Sequence, residues 1–224
     1  HRRVGWGALA DLHVLDTRQH RSDQVTTEEA AEAPGRTMTG EAQEAWLFDG
    51  LARSTARWQL VAQQTMVAQN DRTPGPGRSF DLDNWDGYRW QRRRLLERFA
   101  RTRNPVVLTG DRHATWVCDL RVDFDDPASP VVGAELTGTS ITSGGDPTDL
   151  ELTLFELYYG AIRDESPHQK YIDNRRGYLL HRLDGSRMHT EERVVTGVER
   201  PTGSTVATRS AFVTHDGVPG VELA

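Results

Sequence analysis

Pro105-Val106-Val107-Leu108-Thr109-Gly110-Asp111-Arg112-His113-Ala114-Thr115-Trp116 is the stretch on which the reading of this chain turns. A short apolar, β-branched run stops at a glycine, and an aspartate and a histidine follow two residues apart. The run is too short for a typical helix and is bounded by Pro105 and Gly110, which predicts a buried strand. In an open α/β sheet, ligands bind at the loop that leaves the carboxyl end of such a strand. If the backbone stays extended through that loop, Asp111 and His113 project from the same side. A carboxylate beside an imidazole is a donor set for a divalent or ferric ion, or for two ions sharing a site. The same residues also admit a plainer reading: a turn aspartate bonded to nearby backbone amides, and an unrelated histidine opening the next strand. The rest of the chain has to decide between them.

Its 224 residues suit one large domain or two small ones, with enough chain to bury a substantial core. A net charge of −6 argues against nucleic acid as a bulk electrostatic partner. No apolar run is long enough for a membrane span, and no signal peptide is in view. His1 is not an initiator methionine, which leaves room for a signal or further chain upstream. The single cysteine, Cys118, excludes an internal disulfide. Within Trp116-Val117-Cys118-Asp119-Leu120 it reads as a small buried strand residue rather than a nucleophile.

Upstream of the central stretch, Trp6 to Asp16 reads as one strand opening into Thr17-Arg18-Gln19-His20-Arg21. The guanidinium forks of Arg18 and Arg21 match phosphate oxygens, or equally a neighbouring carboxylate. Residues 25 to 40 read as a surface loop. A helix then follows with Thr39 as its N-cap and Trp46, Leu47, Gly50 and Leu51 at helical spacing. Arg57 to Gln63 returns as a strand, and Asn70 to Asp83 is an exposed loop rich in Pro, Gly and Asp. Asp81, Asp83 and Asp86 do not make an EF-hand, because Asp86 stands where the invariant glycine belongs and Arg92 where the bidentate Glu belongs. Trp85, Tyr88 and Trp90 either line a site or anchor the next helix, Tyr88 to Arg101. That helix turns Leu95, Leu96 and Phe99 inward and its arginines to solvent.

Downstream, Trp116 to Phe124 and Val131 to Leu136 read as strands, Thr137 to Asp146 as a polar loop, and Leu150 to Ile162 as an amphipathic helix. Further strands are expected near 178–183, 187–195 and 204–213. Gly138 to Thr142 ends in Thr, so the nucleophile elbow of a serine hydrolase is absent. No zinc-type Cys/His cluster, Walker loop or GxGxxG occurs.

Several pieces together resemble the PhoD-like alkaline phosphatase/phosphodiesterase family of the metallophosphoesterase superfamily. They are Leu15-Asp16-Thr17-Arg18 with Arg21, Thr39-Gly40-x-x-Gln43-x-x-Trp46-Leu47, and Trp58 through Gln63-Gln64. Asn84-Trp85-Asp86-Gly87-Tyr88, Leu108-Thr109-Gly110-Asp111-x-His113, Glu135-Leu136-x-Gly138-x-Ser140-Ile141 and Tyr171-x-Asp173-x-x-x-Gly177-Tyr178 follow in the family's order. The resemblance implies an α/β fold of the calcineurin-like kind, a β-sandwich flanked by helices, present here as its C-terminal portion. It implies Asp111 and His113 as metal ligands, Fe3+ and Ca2+ as cofactors, and a metal-bound hydroxide that attacks phosphomonoesters or phosphodiesters. Arg18, Trp85, Tyr88 and Arg112 fall in motifs near the substrate. A secreted, cell-surface or periplasmic location is implied as well. The family's first metal ligands lie upstream of the Leu-Asp-Thr-Arg segment, so the partner of this chain is expected to be the N-terminal half of the same domain. The isolated chain is then expected to be inactive. The competing expectation is a non-catalytic structural or binding fragment without a complete metal site.

Overall fold

The structure, a computed structural model, describes residues 1–143, 149–198 and 202–224, together with the side chains of helix α4 except 149–153, 155 and 156. The elements run β1 (Arg2–Trp6), β2 (Ala10–Val14), α1 (Glu28–Ala31), α2 (Glu41–Arg53), β3 (Trp58–Ala62), α3 (Arg89–Phe99), β4 (Pro105–Thr109), β5 (Thr115–Arg121), β6 (Val131–Thr137), α4 (Asp149–Glu165), β7 (Gln169–Asp173), β8 (Gly177–Leu183), β9 (Arg187–Val195), β10 (Val206–His215) and β11 (Glu222–Leu223). Seven strands form one sheet in the order β1-β2-β3-β4-β6-β5-β7, and four form a second in the order β11-β10-β9-β8.

The predicted strand is β4, and its composition follows from its place. It runs parallel to β3 on one side and to β6 on the other, so it lies inside the sheet. Both faces of that sheet are covered. Val107 packs into a cluster with Leu95, Leu96 and Phe99 of α3 and Leu47 and Leu51 of α2. Its neighbour Val106 points the other way, into a cluster that joins Leu60, Val117 and Leu136 to Met188 and Phe212 of the second sheet. Successive side chains of a strand alternate faces, so a strand covered on both must be apolar at adjacent positions. Burying each valine contributes roughly 1.5–3 kcal/mol. The layers are therefore helices, seven-stranded sheet, four-stranded sheet.

Several expectations need correction. The single strand over Trp6 to Asp16 is a hairpin, turned at Gly7 with φ +55°, and all of β1 is exposed. The stretch 25–40 holds a one-turn helix, α1, whose N-cap Thr27 accepts from Ala30 N–H at 3.3 Å. Helix α2 is capped by Gly40 and not by Thr39. Gly40 has φ +77°, and a Cβ there would meet His20 Cβ at 2.9 Å, so the position requires glycine. Thr37 Oγ1 accepts from Gly40 N–H at 2.7 Å instead. The arginine-rich face of α3 is not wholly solvated, because Arg92 turns inward onto Asp86. The predicted loop from Thr137 to Asp146 begins inside β6, and its last three residues lie outside the described ones.

Candidate functional site

Strands β2, β3, β4 and β6 are mutually parallel, so their carboxyl ends meet on one edge of the sheet, joined by the amino end of antiparallel β5. Side-chain amides fasten these ends. Gln64 Oε1 accepts from Thr17 N–H and Oγ1–H at 2.9 and 2.8 Å, while its Nε2 donates to Leu15 O at 2.9 Å. Gln43 treats Asp16 alike, accepting from its N–H and donating to its carbonyl, both at 2.8 Å. Asp16 Oδ1 then accepts from the N–H of Gln19 at 3.0 Å and of Arg18 at 2.9 Å, a side-chain turn that also lowers its own pKa. These bonds set the backbone from which Arg18 projects.

A buried polar chain supports the end of β4. Trp85 Nε1–H donates to Gln63 Oε1 at 3.2 Å, Gln63 Nε2 donates to Thr109 Oγ1 at 2.7 Å, and that hydroxyl donates to Glu135 Oε1 at 2.6 Å. Glu135 also accepts from the N–H groups of Val67 and Ala68 at 2.8 and 2.7 Å. Burial pushes its carboxyl pKa up. A buried carboxyl needs such partners, and these ones tie strands β3, β4 and β6 together directly beneath the loop.

On that loop the backbone is not extended. Asp111 has φ +68° and His113 φ +53°, and Arg112 N–H closes a tight turn on Gly110 O at 2.9 Å. The premise of an extended loop therefore fails, although the two residues do stand exposed at the carboxyl end of β4. Asp and His are among the few non-glycine residues that tolerate positive φ, at a cost of about 1–2 kcal/mol, and such strain collects at functional sites. The Asp111 side chain is 52% exposed, with Arg18 Nη2 at 3.6 Å from its Oδ2.

The remaining predicted site residues separate into two groups. Trp85 and Tyr88 are fully buried in the helix-side core; Tyr88 Oη–H donates to Ser22 O at 2.9 Å, and burial pushes its pKa up. Of the two readings of these aromatics, the anchoring one describes their place, and neither presents surface to a ligand. Arg112 lies mostly under the loop, its guanidinium 5.5 Å from the Trp116 ring and 3.6 Å from Asp81. Arg18 differs. It reaches Asp83 Oδ2 through Nη1 at 2.7 Å and stays part-exposed beside Asp111. Asp83 takes Arg21 on its other oxygen at 2.6 Å, and these two arginines hold its pKa down against the effect of burial.

A carboxylate oxygen and an imidazole nitrogen, both exposed, match in kind the donors of a hard or borderline cation. They are short in number: among the described residues, no group of three His, Cys, Asp or Glu gathers to hold a metal. Cys118 is fully buried, and burial with Glu135 nearby pushes its thiol pKa well up, which removes it as a nucleophile.

The family model described as PhoD-like phosphatase matches residues 1–191, from β1 into β9. The chain belongs to the PhoD-like phosphatase family. A relative within reach is alkaline phosphatase D of Bacillus subtilis (strain 168), 37% identical over 222 residues, which covers 95% of this chain and 37% of that protein. The solved structure titled "Structure of PhoD" superposes with a TM-score of 0.88 at 35% identity, over 100% of this chain and 43% of that one. The PhoD-like chain described here thus spans less than half the length of either relative. The structural match includes β10, beyond the last residue of the family model, so the second sheet belongs to the shared fold. No helix among the described residues is long and apolar enough to cross a membrane.

Sequence reasoning missed Gln43, Gln64, Thr109, Asp83 and the fastening role of Glu135. For Gln64, Thr109 and Glu135 the signal was a polar residue closing or interrupting an apolar strand, as in Gly133-Ala134-Glu135-Leu136; Gln43 on helix α2 and Asp83 in a loop carry no such mark.

Proposed function

We propose that this chain is part of a metal-dependent phosphoric ester hydrolase, and that Asp111 and His113 are two ligands of its metal centre. The observation that carries the reading is that pair: a carboxylate and an imidazole, exposed on a strained loop at the carboxyl end of a doubly covered parallel strand, in a PhoD-like chain. The layering of two sheets and a helical layer supports a calcineurin-like sandwich. Two donors do not complete a coordination shell, so in this reading further residues of the intact protein supply the remaining ligands. Ferric iron with calcium suits such a mixed set, and a bound metal lowers the pKa of water and stabilises charge on the phosphoryl group.

The chain's own residues do the rest. Thr109, Gln63 and Glu135 keep the β4 loop in register. Arg18 contacts phosphate oxygens, while Arg112, Trp85 and Tyr88 hold the loop and its neighbours from beneath. Phosphomonoesters and phosphodiesters share the non-bridging oxygens that Arg18 meets, so both are substrates in this reading. A secreted or cell-surface location goes with it.

The test is hydrolysis of an aryl phosphate and an aryl phosphodiester by the intact natural protein, with iron and calcium supplied. His113→Ala is expected to lower turnover on the order of 10³-fold, the effect of losing several kcal/mol of charge stabilisation. Residues 1–224 alone are expected to turn over little. Full activity in His113→Ala removes the residue from the site, and an inactive parent protein leaves the non-catalytic reading standing.

A further inference from the structure

We propose that Asp83 is a positioning residue, holding Arg18 so that the rest of its guanidinium meets the non-bridging oxygens of a phosphate ester bound beside Asp111. The inference rests on the phosphoesterase reading above and adds to it the group that aims the arginine.

Arg18 is fixed at both ends. Its backbone N–H is held by Asp16 at 2.9 Å, and Nη1 donates to Asp83 Oδ2 at 2.7 Å. Nη2 faces Asp111 Oδ2 at 3.6 Å, too far for a hydrogen bond, so this edge of the fork is directed at the loop and has no hydrogen-bond partner among the described residues. A guanidinium has five N–H donors in a plane and matches two oxygens of a phosphate at once. With one nitrogen spent on Asp83, the other edge is available to a ligand. Asp83 is itself fixed. Its second oxygen takes Arg21 at 2.6 Å, its backbone N–H donates to Asp81 Oδ1 at 3.1 Å, and the Arg21–Ser22 segment is tied down by Tyr88 on Ser22 O. Arg21 is the more buried arginine and also leans on Asp83 O at 3.4 Å, which suits an anchor; Arg18 is the more exposed, which suits a reader.

The sign of one substitution separates aiming from simple charge. Arg18 and Arg21 balance Asp83 and Asp111. Replacing Asp83 by Asn leaves the group one unit more positive, and a charge effect alone then tightens anion binding. Loss of aim weakens it. In the intact protein, Asp83→Asn is expected to raise KM for an aryl phosphate roughly tenfold or more, since a charge-assisted contact is lost, with kcat changed less than about threefold. Competitive inhibition by inorganic phosphate weakens in parallel, Asp83→Glu recovers part of the loss, and the effect of Asp83→Asn vanishes in an Arg18→Ala background. Arg53→Ala, which breaks the exposed pair with Asp49 on α2, serves as the control and leaves KM unchanged. A KM that stays put or falls overturns the proposal. So does a joint collapse of kcat and thermal midpoint that Asp83→Glu fails to relieve. If the parent protein hydrolyses neither ester, the functional reading falls and takes this one with it; an active parent with an unmoved KM defeats the aiming role alone.

Discussion

Asp83 and Asp86 lie three residues apart on one segment, and each binds arginine, yet the two pairs have opposite surroundings. Asp86 and Arg92 are sealed, with side chains 2% and 6% exposed, and Asp86 also accepts from Asn70 N–H at 3.1 Å. Asp83 and Arg18 are open, at 34% and 40%, on the edge where the β4 loop emerges. The difference follows from what packs around each. Asp86 sits in the 3-10 turn Trp85–Gly87, where a Cβ on Gly87 would meet Leu82 O at 2.0 Å, so nothing else fits beside it. Asp83 precedes that turn and faces solvent. The same ion-pair chemistry locks a helix onto a loop in one place and leaves a guanidinium part-exposed in the other.

Substitutions sharpen that contrast, the largest effect first. Asp86→Ala strands Arg92 in the core and is expected to cost about 3–5 kcal/mol in a denaturant titration. Exchanging both partners for Leu and Met of similar volume should recover most of it; failure to recover would mean that the pair does more than fill space.

A third carboxylate, buried like Asp86, gives an intermediate effect. Glu192 of β9 is fully buried beside Asp173, accepts from Tyr171 Oη at 2.7 Å, and has its pKa raised by burial to about 7. The folded pKa exceeds the unfolded one, so the protonated form is favoured in the fold. Its stabilisation is complete below about pH 4.5 and is lost as pH rises toward 7, by up to about 3 kcal/mol. Unfolding free energy measured from pH 4.5 to 7.5 should fall over that window, and Glu192→Gln should flatten the curve.

The smallest stability effect belongs to the open pair. Asp83→Asn is expected to change unfolding free energy by less than about 1 kcal/mol, less still at high salt, because exposed pairs are screened. A cost comparable with that of Asp86→Ala would erase the distinction between them.

These differences also explain what the sequence disclosed. Strand β4 was legible because two covered faces demand Val106 and Val107 together, and the carboxyl edge of a parallel sheet is where the Gly-Asp-x-His loop had to emerge. The β1–β2 hairpin was not, because neither face of β1 is buried and no alternation marks it; only Gly7 signalled the turn. The positive φ at Asp111 and His113 accompanies the tight turn that Arg112 N–H closes on Gly110 O, a conformation that Asp and His tolerate but do not dictate. Trp85 reads as site or core until its indole is seen to meet Gln63, and Arg18 as surface until it is seen to meet Asp83, 65 residues away. Long-range partners choose among local options, and those partners are what a linear reading lacks.

The claim on which the account stands is that Asp111 holds a metal, and Asp111→Asn tests it most directly, because Asn keeps the shape and the local turn bonds while losing the charge. Iron and calcium are measured by elemental analysis in the intact parent and variant proteins, beside ester hydrolysis and thermal melts taken after chelation. The account predicts that metal content and hydrolysis fall together, turnover by orders of magnitude, while the chelated forms melt alike. Unchanged metal content with full activity in Asp111→Asn would contradict it.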